Sequence, residues 1–188
     1  MIGNCQSLLG APYPCRVSDD PRPPRRAASP VELEALGSAV RLRIIRLTYQ
    51  RPLTNKEIAE RLDKDPATTL HHVRKLVTAG FLEPQPARRG NRGAKEIPYV
   101  STGLSWSLRY DNEERVDLTE AMLQAYLAEV AGTDLGELHQ TRLVVQVDEE
   151  DKSEFMRRLG SLLDEYQNRP LKPGAERTAI YVAWYPGE

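Results

Sequence analysis

The chain has 188 residues, with 26 Lys and Arg against 27 Asp and Glu for a net charge of −1. An apolar content of 40% excludes wholesale disorder, and no apolar run approaches the ~18 residues that a membrane crossing needs. The length fits one large domain or two small ones, and the start has no basic segment leading into a long apolar one, so a cytoplasmic protein is expected.

In chain order, residues 1–29 come first. Pro12, Pro14, Pro21, Pro23 and Pro24 are scattered there among Arg16, Arg22, Arg25 and Arg26 without a period, which predicts a disordered tail. Cys5 and Cys15 lie in this tail at a separation that matches no usual ligand spacing. Ser29-Pro30-Val31-Glu32 then opens a helix with a cap, an early proline and an acid in the first turn. Leu33, Leu36, Val40, Ile44 and Leu47 form one apolar stripe, widened by Leu42 and Ile45, so a single helix packed on two partners is predicted before Pro52.

Thr54 and Glu57 have the spacing of a capping box, and Ile58, Ala59 and Leu62 give the helix behind it a buried side. Asp63-Lys64-Asp65 breaks it. Asp65 can cap a second helix with Pro66 in its first position, and Gly80 can take the left-handed position that ends it. Thr69, Val73 and Leu76 form the buried stripe of this second helix; Thr68, His71, Arg74 and Lys75 remain on its outer face. Short helices joined by a tight turn, the second presenting groove-reading residue types, predict a helix-turn-helix. Any helical hairpin exposes polar residues, so the segment after Gly80 carries more weight. Phe81-Leu82 can start a strand and Ile97-Pro98-Tyr99-Val100 can return, with ARRGNRGAK between them. That loop carries Arg88, Arg89, Arg92 and Lys95 and no acid, with Gly90 and Gly93 to turn it. A basic hairpin after a recognition helix is a wing, suited to phosphates or a minor groove. The candidate DNA-binding residues are Thr68, Thr69, His71, Arg74, Lys75, Arg88, Arg89, Arg92 and Lys95. Thr68 and His71, early in the helix, are the expected sequence readers; Arg74 and Lys75 are expected to hold phosphates.

LEALGSAVRLRIIRL at 33–47, LTNKEIAERLDKDPATTLHHVRKLVTAGFLE at 53–83 and the basic wing together resemble the arsenical-resistance-repressor (ArsR) family of bacterial winged-helix regulators. His72-Val73-Arg74-Lys75-Leu76 stands where that family has a His followed by LxxL late in the recognition helix. The resemblance covers about residues 31–110 and implies a homodimeric repressor or activator whose partner is double-stranded operator DNA.

Past the wing, Leu104, Trp106, Leu108 and Tyr110 alternate with polar residues and predict extended chain. Asp111 to Ala131 reads as a helix with Val116, Leu123, Tyr126, Leu127 and Val130 on one face and Leu118 and Met122 beside it. In the resembling family the corresponding helix builds the dimer, so those five are the candidate dimerisation residues; packing on the helix's own domain is the other reading. Thr141–Val147 and Thr178–Tyr185 read as strands around a helix capped by Asp148, with Phe155, Leu159, Leu162, Leu163 and Tyr166 on its apolar side. Two parallel strands make a poor sheet, so they are expected to join another element or a second subunit. Minimal ArsR regulators end before this unit.

The fold class expected is therefore α+β: a tail (1–29), a winged helix-turn-helix DNA-binding domain (30–110), and a long dimerisation helix with a small C-terminal β-α-β unit (111–188). Residues 1–110 hold 18 Lys and Arg against 10 Asp and Glu, and residues 111–188 hold 8 against 17, a balance of +8 followed by −9. The basic half suits nucleic acid. Catalysis has no footing, since a phosphate-cradling Gly loop, a nucleophile elbow and HExxH are all missing; neither an enzyme nor a cofactor is expected. Metal sensing is not expected either. His71 and His72 diverge by about 100° on a helix, His139 is isolated, and 111–131 has no His. Tyr126, Phe155, Tyr166, Tyr181 and Trp184 could line a pocket for a small-molecule effector or pack as core. The alternative function is a winged-helix module that docks protein without sequence-specific DNA binding; such a wing has no need of four cations.

Overall fold

The computed structural model describes residues 25–90, 93–110, 115–170, 172 and 174–187, with 115 and 116 as backbone only. Cys5, Cys15, Arg92 and the side chain of Val116 lie outside the described residues. The chain forms two compact units, Met1–Ala125 and Tyr126–Glu188.

Strand β1 (Arg26–Ala27) opens the first unit and pairs in parallel with β7 (Leu108–Arg109). Residues 26–29, expected to belong to a disordered tail, are thus part of the fold. Their composition hid two ties, one long-range and one local: the Ala28 N–H donates to Arg109 O at 3.0 Å, and Arg26 Nη1 donates to Glu32 Oε2 at 2.9 Å. Helix α1 (Pro30–Leu36) starts with a capping box in which Glu32 accepts from the Ser29 N–H at 2.7 Å.

The single first helix predicted from the apolar stripe is two helices. α1 stops at Gly37-Ser38, and α2 (Ala39–Thr48) restarts the chain. A break strands the last carbonyls of α1, and Arg41 repairs it: its buried guanidinium folds back to donate to the carbonyls of Glu34 and Ala35. The stripe continues across the break, so periodicity could not show it.

β2 (Leu53–Thr54), β6 (Pro98–Ser101) and β3 (Leu82–Pro84) form an antiparallel sheet in the order β2-β6-β3. α3 (Asn55–Leu62) and α4 (Pro66–Thr78) precede β3, and β4 (Arg88–Arg89) pairs with β5 (Lys95–Glu96) between β3 and β6. One core holds the unit together: Leu36, Ile44, Ile58, Val73, Leu76, Phe81 and Leu108 are fully buried in it. The extended chain expected over 104–110 is realised only as β7. Leu104–Ser107 is a 3-10 turn that starts from Gly103 at φ 76°, a conformation suited to glycine. The Tyr110 hydroxyl donates back to Ser105 O at 2.9 Å.

α5 (Arg115–Val130) buries Leu118, Ala121 and Ala125 along one side, and Leu118 joins the core of the first unit. Met122, Leu123 and Leu127 are exposed, and Tyr126 and Val130 are half-buried.

In the second unit, α6 (Glu149–Gln167) begins where Asp148 accepts from the Asp151 N–H at 2.9 Å. The flanking strands expected at 141–147 and 178–185 are not formed; only the helix of the β-α-β unit is present. Two strands alone make a marginal sheet, and none of the described strands pairs with either segment. Val144 and Tyr185 are consequently exposed. Tyr126 stacks on Tyr181 with centroids 4.4 Å apart, and Phe155 meets Trp184 at 4.9 Å. These four rings thus pack as two pairs.

Glu32 predicts an acid sensitivity. Its carboxyl, hydrogen-bonded by Arg26 first and then by Ser29, is held down at about 2. A depressed carboxyl stabilises the fold above its unfolded value near 4.5 and loses that contribution as pH falls towards 2. Arg26 is half exposed, so the contribution is roughly 1–2 kcal/mol. Thermal melts of the wild type and Glu32→Gln should therefore differ at pH 6, draw together as pH falls below 4.5 and meet only at about pH 2 or below. A constant gap would mean that the pair does not titrate with folding.

Candidate nucleic-acid interface

The reading head is built from local signals. Thr54 Oγ1 accepts from the Glu57 N–H at 3.2 Å and Glu57 Oε2 accepts from the Thr54 N–H at 2.7 Å, which starts α3 as the capping box predicts. Asp63 ends α3 in the left-handed region at φ 51°. Asp65 Oδ1 then accepts from the N–H groups of Ala67 and Thr68 at 2.9 and 3.0 Å, with Pro66 in the first turn of α4. Asn55 Nδ2 donates to Pro66 O at 2.8 Å, joining the starts of the two helices. That bond had no signal in the sequence.

Along α4, Thr68, His71 and Arg74 are exposed. Thr69 is fully buried, and its hydroxyl donates to Asp65 O at 2.9 Å, so it is removed from the candidate DNA-binding set. It stands on the same stripe as Val73 and Leu76, which face the core. Lys75 is half-buried and pairs with Glu34 of α1 at 3.0 Å. That ammonium holds the Glu34 carboxyl below the usual carboxylate range. His72 is half-buried; burial, and next the Arg41 charge, push its pKa down.

α4 closes on a left-handed Gly80 at φ 80°. The Phe81 N–H donates to Leu76 O at 2.9 Å and the Gly80 N–H to Val77 O at 3.0 Å, so the chain turns directly into β3. The wing comes next. In the β4–β5 pair, Arg88 stands opposite Glu96 and Arg89 opposite Lys95. The Gly90 N–H donates to Ala94 O at 2.8 Å, and Gly93 turns with φ 77°. Arg88 Nη2 lies 3.0 Å from both Glu57 carboxylate oxygens, and Arg88 Nε lies 3.9 Å from Glu96 Oε2. Arg89 and Lys95 are exposed. A polar cleft of about 520 Å³ separates wing and α3, lined by Glu57, Glu60, Arg88, Gly90 and Glu96 among others.

Residues 36–85 match a family model described as a helix-turn-helix domain. The head is a helix-turn-helix domain. No curated protein matches the chain in sequence. Among solved structures, the chain is similar to a double mutant of ZitR from Lactococcus lactis, at 17% identity over 71% of this chain and 74% of that one with a TM-score of 0.31. It is similar also to a mutant MepR from S. aureus bound to an oligodeoxyribonucleotide, at 16% identity over 73% and 79% with a TM-score of 0.27. The transcriptional regulator Tm0710 from Thermotoga maritima is similar at 12% identity over 76% and 81% with a TM-score of 0.28. Among the described residues, no three His, Cys, Asp or Glu side chains gather as a metal site. No helix among them is long and apolar enough to cross a membrane.

Proposed function

We propose that this chain is a sequence-specific DNA-binding transcriptional regulator, an ArsR-like repressor that acts in the cytoplasm as a homodimer. The observation that carries the reading is the outer face of α4: a helix whose Thr69, Val73 and Leu76 are buried keeps Thr68, His71 and Arg74 exposed, and a hairpin with exposed Arg89 and Lys95 follows it in the chain. No packing role accounts for those three side chains. α4 would lie in the major groove, with the wing on phosphates or in the minor groove. The exposed stripe of Leu123 and Leu127 on α5, with Tyr126 and Val130 half-buried beside it, supports dimerisation there. Val116 completes the proposed seam by sequence alone. The domain limits proposed are a head extending to Tyr110, then α5 and the C-terminal unit.

Binding selection on randomised duplexes, then gel shifts at two salt concentrations, tests the reading. A selected motif with a steep fall of affinity in salt supports it. A slope near zero would favour the protein-docking module. Within the helix, Thr68→Ala and His71→Ala should each change which operator variants are preferred, costing about 1–3 kcal/mol at the matching base pair. Arg74→Ala should weaken operator and random DNA by similar factors. Changed base preference in Arg74→Ala but not in His71→Ala would mean that α4 is rotated about its axis.

A further inference from the structure

The wing carries its cations on a two-stranded hairpin, and side chains of successive strand residues point to opposite faces. The pairing places Arg88 opposite Glu96 and Arg89 opposite Lys95. One face of the hairpin is therefore charge-balanced and the other doubly cationic. The balanced face is engaged inside the protein: Arg88 bonds both oxygens of Glu57, and Glu96 lies on its other side. Glu57 also caps α3 through the Thr54 N–H. Glu57, Glu60 and Glu96 all line the cleft that receives Arg88. A phosphate brought to Arg88 would meet those carboxylates and would have to displace a two-oxygen partner. Arg89 borders the same cleft, but among the described residues neither it nor Lys95 opposite it is engaged by a carboxylate. Like charges directly opposite across a strand pair repel, and an anion held between them removes the repulsion.

From this arrangement we infer that Arg88 is a positioning residue that fastens the wing to the start of α3 through Glu57, while Arg89 and Lys95 form the phosphate-holding pair. The assignment of Arg89 and Lys95 rests on the proposed DNA-binding function; the anchor does not. Gly90 fits the scheme, because a Cβ there would lie 2.2 Å from the Glu96 carboxyl, so the strand end has no side chain where Glu96 folds over it.

Two measurements test the parts separately. In the free protein, hydrogen exchange of the wing amides at residues 89–96 should quicken about threefold to fivefold in Arg88→Ala, as expected for loss of one partly exposed pair. Glu57→Gln, which keeps an oxygen for the Thr54 N–H, should do the same, and the double variant should add nothing further. Unchanged exchange in the single variants, or independent and additive effects, would overturn the anchor. On DNA, Arg89→Ala with Lys95→Ala should flatten the slope of log affinity on log salt by about 1.8, whereas Arg88→Ala should leave the slope unchanged while weakening binding. A fall of about 0.9 in Arg88→Ala would overturn the division of labour and leave the DNA-binding reading standing. A wild type with no salt slope on any duplex would sink the DNA-binding reading and the phosphate pair with it, while the exchange data would still decide the anchor.

Discussion

Replacing Phe81 by alanine is expected to lower the stability of the protein by about 3–5 kcal/mol. Phe81 is only 1% exposed and is the largest of the fully buried side chains. It sits directly after the glycine that ends α4, so its ring packs into the core while its N–H closes the last turn of that helix. Removing the ring leaves a cavity among side chains that cannot collapse without moving α4 against the sheet. A domain of this size has roughly 5–15 kcal/mol in total, so the variant should unfold at much lower urea and melt many degrees earlier. Circular dichroism across a urea series measures this. A midpoint change worth under about 1 kcal/mol would mean that the head does not depend on this contact.

On the proposed function, Leu127→Asp is expected to turn the dimer into a monomer and to lower operator affinity by at least about 100-fold. α5 commits Leu118, Ala121 and Ala125 to its buried side and leaves Leu123 and Leu127 at 43% and 48% exposure, one turn apart on a second stripe. A second copy covering that stripe is the proposed joint. An aspartate there would be an unpaired charge in an apolar seam, several kcal/mol unfavourable by itself. Two heads held one helical turn apart on DNA bind far more tightly than one, so the loss of the joint reads out as lost affinity. Sedimentation velocity and gel shift should change together. Gln124→Ala, also exposed on α5, should leave the assembly intact. If Leu127→Asp still sediments as a dimer, the seam lies elsewhere, with α1 and the C-terminal unit as the next places to look.

The parts of the head that could be read from the sequence are those set by neighbours in the chain. Thr54 with Glu57, Asp65 with Pro66, and Gly80 each act within about one turn of themselves, so residue type and spacing were enough to place both helices and the wing. What escaped depends on partners more than one helical turn away, from the carbonyls six and seven residues before Arg41 to strand partners across the domain. Arg41 repairs a helix end that the continuous stripe from Leu33 to Leu47 concealed. Arg26 and Ala27 have a strand partner some eighty residues later, and composition alone made them look like tail. Lys75 and Arg88 read as free cations because Glu34 and Glu57 are distant in sequence and had local roles already assigned or none. Thr69 has the residue type of a groove reader and the spacing of the buried stripe, and at 0% exposure it belongs to the stripe alone. The flanks of α6 have strand composition, yet composition does not supply the neighbour that a strand requires.

The head also has a mechanical property. Asn55 joins α3 to α4, the Gly80 corner joins α4 to β3 and is itself held by the Thr102 hydroxyl on Gly80 O at 2.8 Å, and Arg88 joins the wing back to α3. Each tie opposes displacement of one part of the head against the next, so together they favour a particular span between α4 and the wing. On the proposed function, a duplex whose groove is too wide or too narrow for that span must itself bend to meet both contacts. The elastic work this requires depends on how stiff its base steps are, so the protein would discriminate among operators at base pairs it never touches.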